Sequence, residues 1–262
     1  LRRLFAEGAF NQAFVPVLAE ISQQESKQLL QRMVSQVAGS LLLVLSVITV
    51  IAVVAAPVLA LVFAPGFASD SDKLGLTADM LRITFPYLLL ISMTGFFGRL
   101  LNHSKRFVIP ALTPVLLNLS LIAAALWLAP QMTVPVMALA WGVLAAGILQ
   151  LALQLPFVAR LGLLVRPRVG FGEARVKQVM KLMLPAMFGV SVAQINLLLD
   201  TVLASLLQSG SVSWLYYSDR LMELPLGVFG NAIATVILPG LSQRHASKSP
   251  KAFSDTLDWA LR

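Results

Sequence analysis

Residues 107–159 read FVIPALTPVLLNLSLIAAALWLAPQMTVPVMALAWGVLAAGILQLALQLPFVA and contain no charged side chain. A membrane crossing takes about 20 consecutive apolar residues, so this stretch is long enough for two crossings. The sequence APQMTVP at 129–135 contains two prolines and predicts a turn between the two crossings. Further uncharged stretches occupy 33–69, 83–98, 182–199, 201–218 and 224–243. This pattern predicts helices that cross a membrane repeatedly.

The composition supports that interpretation. Of the 262 residues, 58% are hydrophobic and 12% are charged, whereas soluble domains contain about 25% charged residues. The absence of cysteine excludes disulfides, iron–sulfur clusters and thiol catalysis. The formal net charge is +8, but the basic residues lie in short loops between apolar stretches, which argues against nucleic acid as a partner.

The charge-free stretches predict an all-α, polytopic membrane helix bundle with about seven spans and the start of an eighth. The predicted spans are 1–20, 34–63, 79–101, 109–129, 134–159, 178–207 and 212–242. The chain opens at Leu1 on helix-like sequence and stops within the amphipathic stretch AFSDTLDWALR. We therefore expect an internal fragment of a longer membrane protein.

The distribution of lysine and arginine predicts the orientation. Fourteen of these residues lie in or beside the loops 21–33, 99–108, 160–177 and 243–251, whereas the alternate loops contain Lys73 alone. Cytoplasmic loops are enriched in Lys and Arg, so we predict that these four are cytoplasmic. The longest, 160–177, is interpreted as a link between two lobes, as an anchor at anionic lipid headgroups, or as both.

Charged side chains interrupt the apolar sequence in WLYYSDRLMELPLG at 214–227. On a helix, Tyr216, Asp219, Arg220 and Glu223 share one stripe. A charge inside a membrane span costs about 2.5–3.5 kcal/mol on insertion scales and persists where it faces a bundle interior or a water-filled path. The stripe predicts a transporter-like cavity, with an Arg220–Glu223 pair. The alternative is a structural ion network that seals two helices.

The first predicted span begins LRRLFAEGAFNQAFVP and has a similar stripe. Arg3, Glu7 and Asn11 follow one another at steps of four residues, so Arg3 and Glu7 are able to pair. Arg2 would then be free to hold an anion through bidentate hydrogen bonds. The alternative is that both arginines anchor a helix end at the lipid headgroups.

Asp200 is isolated between two uncharged stretches. Intramembrane aspartates often bind a cation or carry a proton, and Asn196 and Thr201 offer oxygen ligands nearby. A protonated aspartate that hydrogen-bonds across helices is the alternative. The two histidines, His103 and His245, lack metal-ligand spacing, and the chain contains no P-loop, GxSxG or HExxH motif. We expect neither an enzyme nor a structural metal site.

Five blocks of the sequence resemble the MurJ (MviN) family of bacterial lipid II flippases. They are RRLFAEGAFNQAFVPVLAE, ITFPYLLLIS, RFVIPALTPVLLNLS, ALAWGVLAAGILQLALQLP and SGSVSWLYYSDRLMELPLGVFG. The resemblance implies fourteen helices in two lobes around a cationic, solvent-filled cavity, within a superfamily that includes polysaccharide flippases and multidrug antiporters. On that basis, residues 1–160 form an N-terminal lobe lacking its first helix, 161–177 an inter-lobe loop, and 178–262 the start of the C-terminal lobe.

The resemblance also implies a function and a site. Such proteins move lipid II, an undecaprenyl-pyrophosphate carrying a disaccharide–pentapeptide, across the bacterial cytoplasmic (inner) membrane, and we expect alternating access without a cofactor. Membrane lipids are the other expected partners, and sodium or the membrane potential is the expected energy source. The fragment alone is expected to be inactive.

The cavity arginines of the family correspond to Arg2 and Arg220, with Asp219 beside the latter. Glu7 and Glu223 lie within the matching motifs, and Arg3 joins them as a candidate substrate-binding residue. Asp200 is the candidate ion ligand. Two alternatives remain at this point, namely a flippase for another polyprenyl-linked glycan and a cation-coupled multidrug antiporter. The second would favour an acidic cavity, whereas Arg2 and Arg220 favour an anion.

Overall fold

The computed structural model of this chain describes residues 13–18, 20, 27–225 and 227, and the regular elements among them are all helical. The helices after residue 26 are α1 Lys27–Val54, α2 Ala56–Phe63, α3 Ser71–His103, α4 Val108–Ala111, α5 Thr113–Ala123, α6 Met137–Arg160, α7 Ala174–Ser205 and α8 Ser211–Pro225. The described residues contain no strand. The predicted all-α fold is therefore confirmed.

Four of the described helical segments are long and apolar enough to cross a membrane. They are Gln28–Val54, Ser71–His103, Val108–Gln131 and Met137–Arg160. Helix α7 becomes a fifth if its two parts, which meet at 43° between Gly189 and Gln194, count as one span. The predicted spans 1–20 and 212–242 lie partly outside the described residues, so the total of seven stays a prediction.

The apolar stretch predicted as one helix over 34–63 forms two helices. Pro57 lies in the first turn of α2, and its ring nitrogen has no hydrogen to donate to the preceding turn. Helical hydrogen bonding continues on both sides of Ala55, since its N–H donates to Ile51 O at 2.8 Å and its carbonyl accepts from Leu59 N at 2.9 Å. The interruption is a local consequence of the proline.

Helix α3 begins at Ser71, eight residues before the predicted start at 79. The predicted loop 64–78 is correspondingly too long. Asp70 caps the helix, because its Oδ1 accepts a hydrogen bond from the Lys73 backbone N–H at 3.1 Å. The Lys73 ammonium lies 3.1 Å from Asp70 Oδ2. These two contacts stabilise a first helical turn made of polar residues. Hydropathy alone had placed those residues in a loop.

Replacing Asp70 with alanine is expected to fray the first turn of α3. The backbone and ammonium of Lys73 hold the pKa of Asp70 below its ordinary value of 3.8, so the cap stabilises the turn above that value and is lost as the pH falls through the lowered pKa. At neutral pH, the Lys73 amide of Asp70→Ala should exchange its hydrogen several-fold faster than in the parent. Asp79→Ala is the control, since Asp79 pairs with Arg82 and not with this amide. Equal exchange in Asp70→Ala and parent would contradict the cap.

Helix α3 lies at the centre of the larger compact unit, which spans Leu1–Leu206, and it packs against α1, α2 and α6. Phe96 on α3 is fully buried, and its ring centroid lies 5.1 Å from that of Phe14 and 5.4 Å from that of Phe97. Leu45 and Leu100 are also fully buried in this core. The second unit is Leu207–Arg262. The predicted lobe boundary at 161–177 stays a prediction.

Hydrogen bonds at the start of α1 and beyond the end of α2 agree with the prediction that successive loops lie at opposite ends of the helices. At the start of α1, Gln31 Nε2 donates to Gly162 O at 2.6 Å. Beyond α2, Gly66 N–H donates to the Ser205 hydroxyl, at the end of α7, at 3.2 Å. The basic loop 160–177 therefore lies at the end where α1 begins, and the loop after α2 lies where α7 ends. Which end faces the cytoplasm stays a prediction.

Candidate functional site

Helix α8 carries the charged stripe that the sequence analysis singled out. Gly210, with φ +104°, precedes the helix in a conformation that favours glycine. The Trp214 N–H donates to Gly210 O at 2.9 Å and closes the first turn. This start places Arg220 one turn after Tyr216 and one turn before Glu223 on the same face.

Arg220 is held between an aromatic ring and a carboxylate. Its Nη1 donates to Glu223 Oε2 at 2.7 Å, and its guanidinium carbon lies 5.2 Å from the centroid of the Tyr216 ring. The predicted Arg220–Glu223 pair is therefore present. The Arg220 side chain is 58% exposed within this chain. Because a guanidinium has five N–H donors and the Glu223 bond uses one, Arg220 retains donors for an anion.

Asp219 lies next to this pair, exposed on α8. Tyr217 packs edge-on against Tyr216, with ring centroids 5.7 Å apart. The local charge is therefore one guanidinium, fixed in position, with two carboxylates beside it. Such an arrangement orients Arg220 while keeping its outer face accessible. The role of this arrangement in binding an anion stays a prediction.

Asp200 lies on α7 as an exposed side chain. Thr201 is one of the two residues near Asp200 that were predicted to offer an oxygen ligand to an ion. Its hydroxyl donates to Leu197 O at 2.8 Å within the same helix. The described residues contain no cluster of three or more acidic, histidine or cysteine side chains that would hold a metal ion. The role of Asp200 in ion coupling stays a prediction.

Arg2, Arg3 and Glu7 lie outside the described residues. Nothing is therefore added to the predicted Arg3–Glu7 pair, to the anion-binding role of Arg2, or to the expectation that either arginine meets the stripe on α8. These assignments stay predictions from the sequence.

A second ion pair joins parts of the chain that the sequence analysis treated separately. Arg175 Nη1, at the start of α7, lies 2.9 Å from Glu20 Oε1. Gln178 Nε2 donates to the other Glu20 carboxylate oxygen at 3.4 Å. Arg175 had been counted only among the basic residues of the loop 160–177. No spacing rule reveals a partner 155 residues away, so this contact is visible only in the fold.

The apolar helices define a polytopic helical membrane protein. Residues 1–262 match the family model described as lipid II flippase MurJ. The chain therefore belongs to the MurJ family, and the resemblance found in the sequence is confirmed.

Relatives in several bacteria agree with this assignment. Probable lipid II flippase MurJ of Haemophilus influenzae is 48% identical over 275 aligned residues, which cover 100% of this chain and 54% of the relative. The corresponding protein of Vibrio cholerae is 44% identical, with 100% and 51% covered. Lipid II flippase MurJ of Burkholderia cenocepacia is 42% identical, with 100% and 52% covered. The chain thus spans about half the length of these curated relatives.

A solved structure supports the fold. The structure of lipid II flippase MurJ in an inward closed conformation superposes with a TM-score of 0.77 at 26% identity. The match covers 99% of this chain and 52% of that one. The backbone arrangement is therefore that of the family.

Proposed function

We propose that the protein containing this chain flips lipid II from the cytoplasmic to the periplasmic leaflet of the bacterial inner membrane. The observation that carries this proposal is the match of residues 1–262 to the lipid II flippase family. The curated relatives bear that name, and Arg220 offers the chemistry that an anionic headgroup needs. A flippase moves a lipid without making or breaking covalent bonds, so no catalytic group is required.

The physical problem is the headgroup. Moving one bare charge from water into hydrocarbon costs of order 20 kcal/mol in the idealised limit, and a pyrophosphate bears more than one charge. The proposed solution is a cationic cavity in which Arg2 and Arg220 replace part of the hydration shell by bidentate hydrogen bonds. The polyprenyl tail remains in lipid throughout. Asp219 and Glu223 limit how tightly the anion is held, so that release stays feasible.

The proposed cycle is alternating access. The cavity opens to the cytoplasm and admits the headgroup, then closes on that side and opens to the periplasm. The membrane potential favours this direction for an anion, because the cytoplasm is negative and each charge moved across 100 mV gains about 2.3 kcal/mol. A sodium gradient is the other proposed source of energy.

Rescue of cells depleted of their lipid II flippase tests the proposal. The intact protein, expressed at a normal level in the membrane, is expected to restore growth and cell shape. A well-expressed intact protein that fails to rescue, but restores cells lacking the flippase for another polyprenyl-linked glycan, would overturn the choice of substrate. Dye efflux in place of rescue would point to a multidrug antiporter.

Replacing Asp200 with asparagine tests ion coupling separately. If Asp200 binds sodium, Asp200→Asn should remove the dependence of lipid II flipping on sodium in vesicles, because the neutral amide no longer balances the cation. Asp79→Asn, a change of the same type at a described acid paired with Arg82, is the control and should leave the dependence intact. Unchanged sodium dependence in Asp200→Asn would remove this residue from the mechanism.

A further inference from the structure

The basic segment between α6 and α7 is fixed against the first turns of α1. The Ser35 hydroxyl donates to Arg166 O at 2.5 Å, and the Arg168 N–H donates to Ser35 O at 3.0 Å. The segment therefore holds both arginines at a defined place beside the helix.

Two further contacts complete this attachment. The Gly170 N–H donates to the Ser40 hydroxyl at 3.1 Å, and a Cβ atom on Gly170 would lie 2.8 Å from Gln36 Cβ. One turn away, a methyl group on Gly39 would overlap the backbone of Arg168. The backbone of the segment thus lies directly on α1, which leaves little freedom for displacement.

A polar pocket of about 550 Å³ opens where this segment meets α1. Three arginines line it, Arg32 from α1 and Arg166 and Arg168 from the segment, together with Gln28, Gln31 and Gln36. Arg166 and Arg168 are two residues apart, and both contribute to the lining of the pocket. The pocket is therefore lined by donors from two separate parts of the sequence.

Among the residues that the structure describes, no carboxylate lines this pocket. Among the described residues, none of the three guanidiniums takes part in an ion pair. Within the described part of the chain, three like charges therefore line one pocket without a counter-charge, and a bound anion would offset their repulsion. Arginine is also the side chain best suited to bidentate contact with phosphate oxygens.

We propose that this pocket binds the headgroup of a membrane lipid that carries two phosphate groups. One phosphodiester would neutralise a single guanidinium, whereas two linked phosphates match three arginines more closely. The glutamine amides offer additional donors to phosphate oxygens and to the linking hydroxyl groups. The pocket lies at the end of the helices predicted to face the cytoplasm, and basic pockets on that side of membrane proteins bind such headgroups.

This proposal uses none of the residues assigned to lipid II transport. Its failure would leave the proposed flippase function intact, and loss of flipping in Arg220 variants would leave this pocket intact. Two lipids share the required chemistry, a phospholipid with two phosphodiesters and a polyprenyl pyrophosphate. The experiment therefore includes both.

The test measures lipid binding to the intact protein by native mass spectrometry, with cardiolipin, phosphatidylglycerol and undecaprenyl pyrophosphate as probes. The parent should bind cardiolipin at least about tenfold more tightly than phosphatidylglycerol. Replacing Arg32, Arg166 and Arg168 together with glutamine should weaken cardiolipin binding about a hundredfold and remove the preference. Replacing all three with lysine, which keeps the charge but not the bidentate geometry, should give an intermediate loss.

The control removes three positive charges elsewhere on the predicted cytoplasmic side, by Lys105→Gln, Arg106→Gln and Lys177→Gln. It should bind cardiolipin within about threefold of the parent. Equal affinity of the parent for cardiolipin and phosphatidylglycerol, or equal losses in control and test variants, would overturn the proposal.

Selective binding of undecaprenyl pyrophosphate would support the two-phosphate chemistry and identify the occupant as a polyprenyl lipid. Binding of inorganic pyrophosphate without either lipid would overturn the assignment to a lipid.

Discussion

Replacing Arg220 with alanine in the intact protein is expected to abolish rescue of cells depleted of their lipid II flippase. The guanidinium is oriented by Glu223 at 2.7 Å and by the Tyr216 ring, and its outer donors are available to phosphate. Loss of charge-assisted hydrogen bonds typically costs about 1.5–3 kcal/mol, which corresponds to roughly a 10- to 150-fold slower step. Colony counts on depletion, at matched membrane expression, are the measurement.

Two controls separate substrate binding from helix structure. Arg82→Ala is the first control. Arg82 pairs with Asp79 at 2.6 Å and, like Arg220 and Glu223, the two residues are three positions apart, but they lie outside the charged stripe. This variant should rescue normally. The double variant Arg220→Ala/Glu223→Ala removes the ion pair as a whole. If Arg220 served only to neutralise Glu223, the double variant would regain function. If Arg220 binds the anion, the double variant stays inactive, and normal rescue by Arg220→Ala alone would contradict the assignment.

Replacing Gly39 with alanine is expected to destabilise the protein by overpacking the contact between α1 and the basic segment. The new Cβ would overlap the backbone of Arg168, which is hydrogen-bonded to α1 and cannot move aside as a side-chain end would. Overpacking of this kind typically costs about 1–3 kcal/mol. The thermal midpoint of the purified intact protein, followed by tryptophan fluorescence, should fall. Cleavage by trypsin after Arg168 should accelerate, since the segment loses its attachment.

Gly75→Ala is the matched control for this substitution. Gly75 also lies within a helix, α3, but an added Cβ would meet no atom within 4 Å. The same chemical change should therefore raise stability by up to about 1 kcal/mol through helix propensity. A lower midpoint in both variants would mean that the detergent-solubilised protein responds to any change at glycine. A midpoint at Gly39→Ala equal to that of the parent would show that the close approach to Arg168 is not maintained in solution.

Features that depend on residues close in sequence were largely predictable. The charge-free stretches locate the long helices because the cost of placing charge in hydrocarbon is a local property of the chain. The Arg220–Glu223 pair was also predictable, since both side chains lie on one helix three residues apart. The prediction was wrong at the start of α3, where the cap by Asp70 extends the helix into polar sequence.

Contacts between distant segments were not predictable. Arg175 and Glu20 are 155 residues apart, and Arg166 is 131 residues from Ser35, whose hydroxyl contacts its carbonyl. No periodicity relates such positions, because they meet only when whole helices pack. For the same reason the sequence analysis interpreted the arginines of the loop 160–177 as topological signals and did not group any of them with Arg32.

The sequence by itself determined that this chain is an all-helical membrane protein of the MurJ family, with a charged stripe on one of its last helices. Helical periodicity, hydropathy and motif content are written in neighbouring residues, so no structure is needed to recognise them. The tertiary structure decided where the basic segment lies, how closely it approaches α1 at Gly39, and which arginines share a pocket. These depend on close backbone approach between α1 and a segment about 130 residues later, a relation that local sequence does not encode.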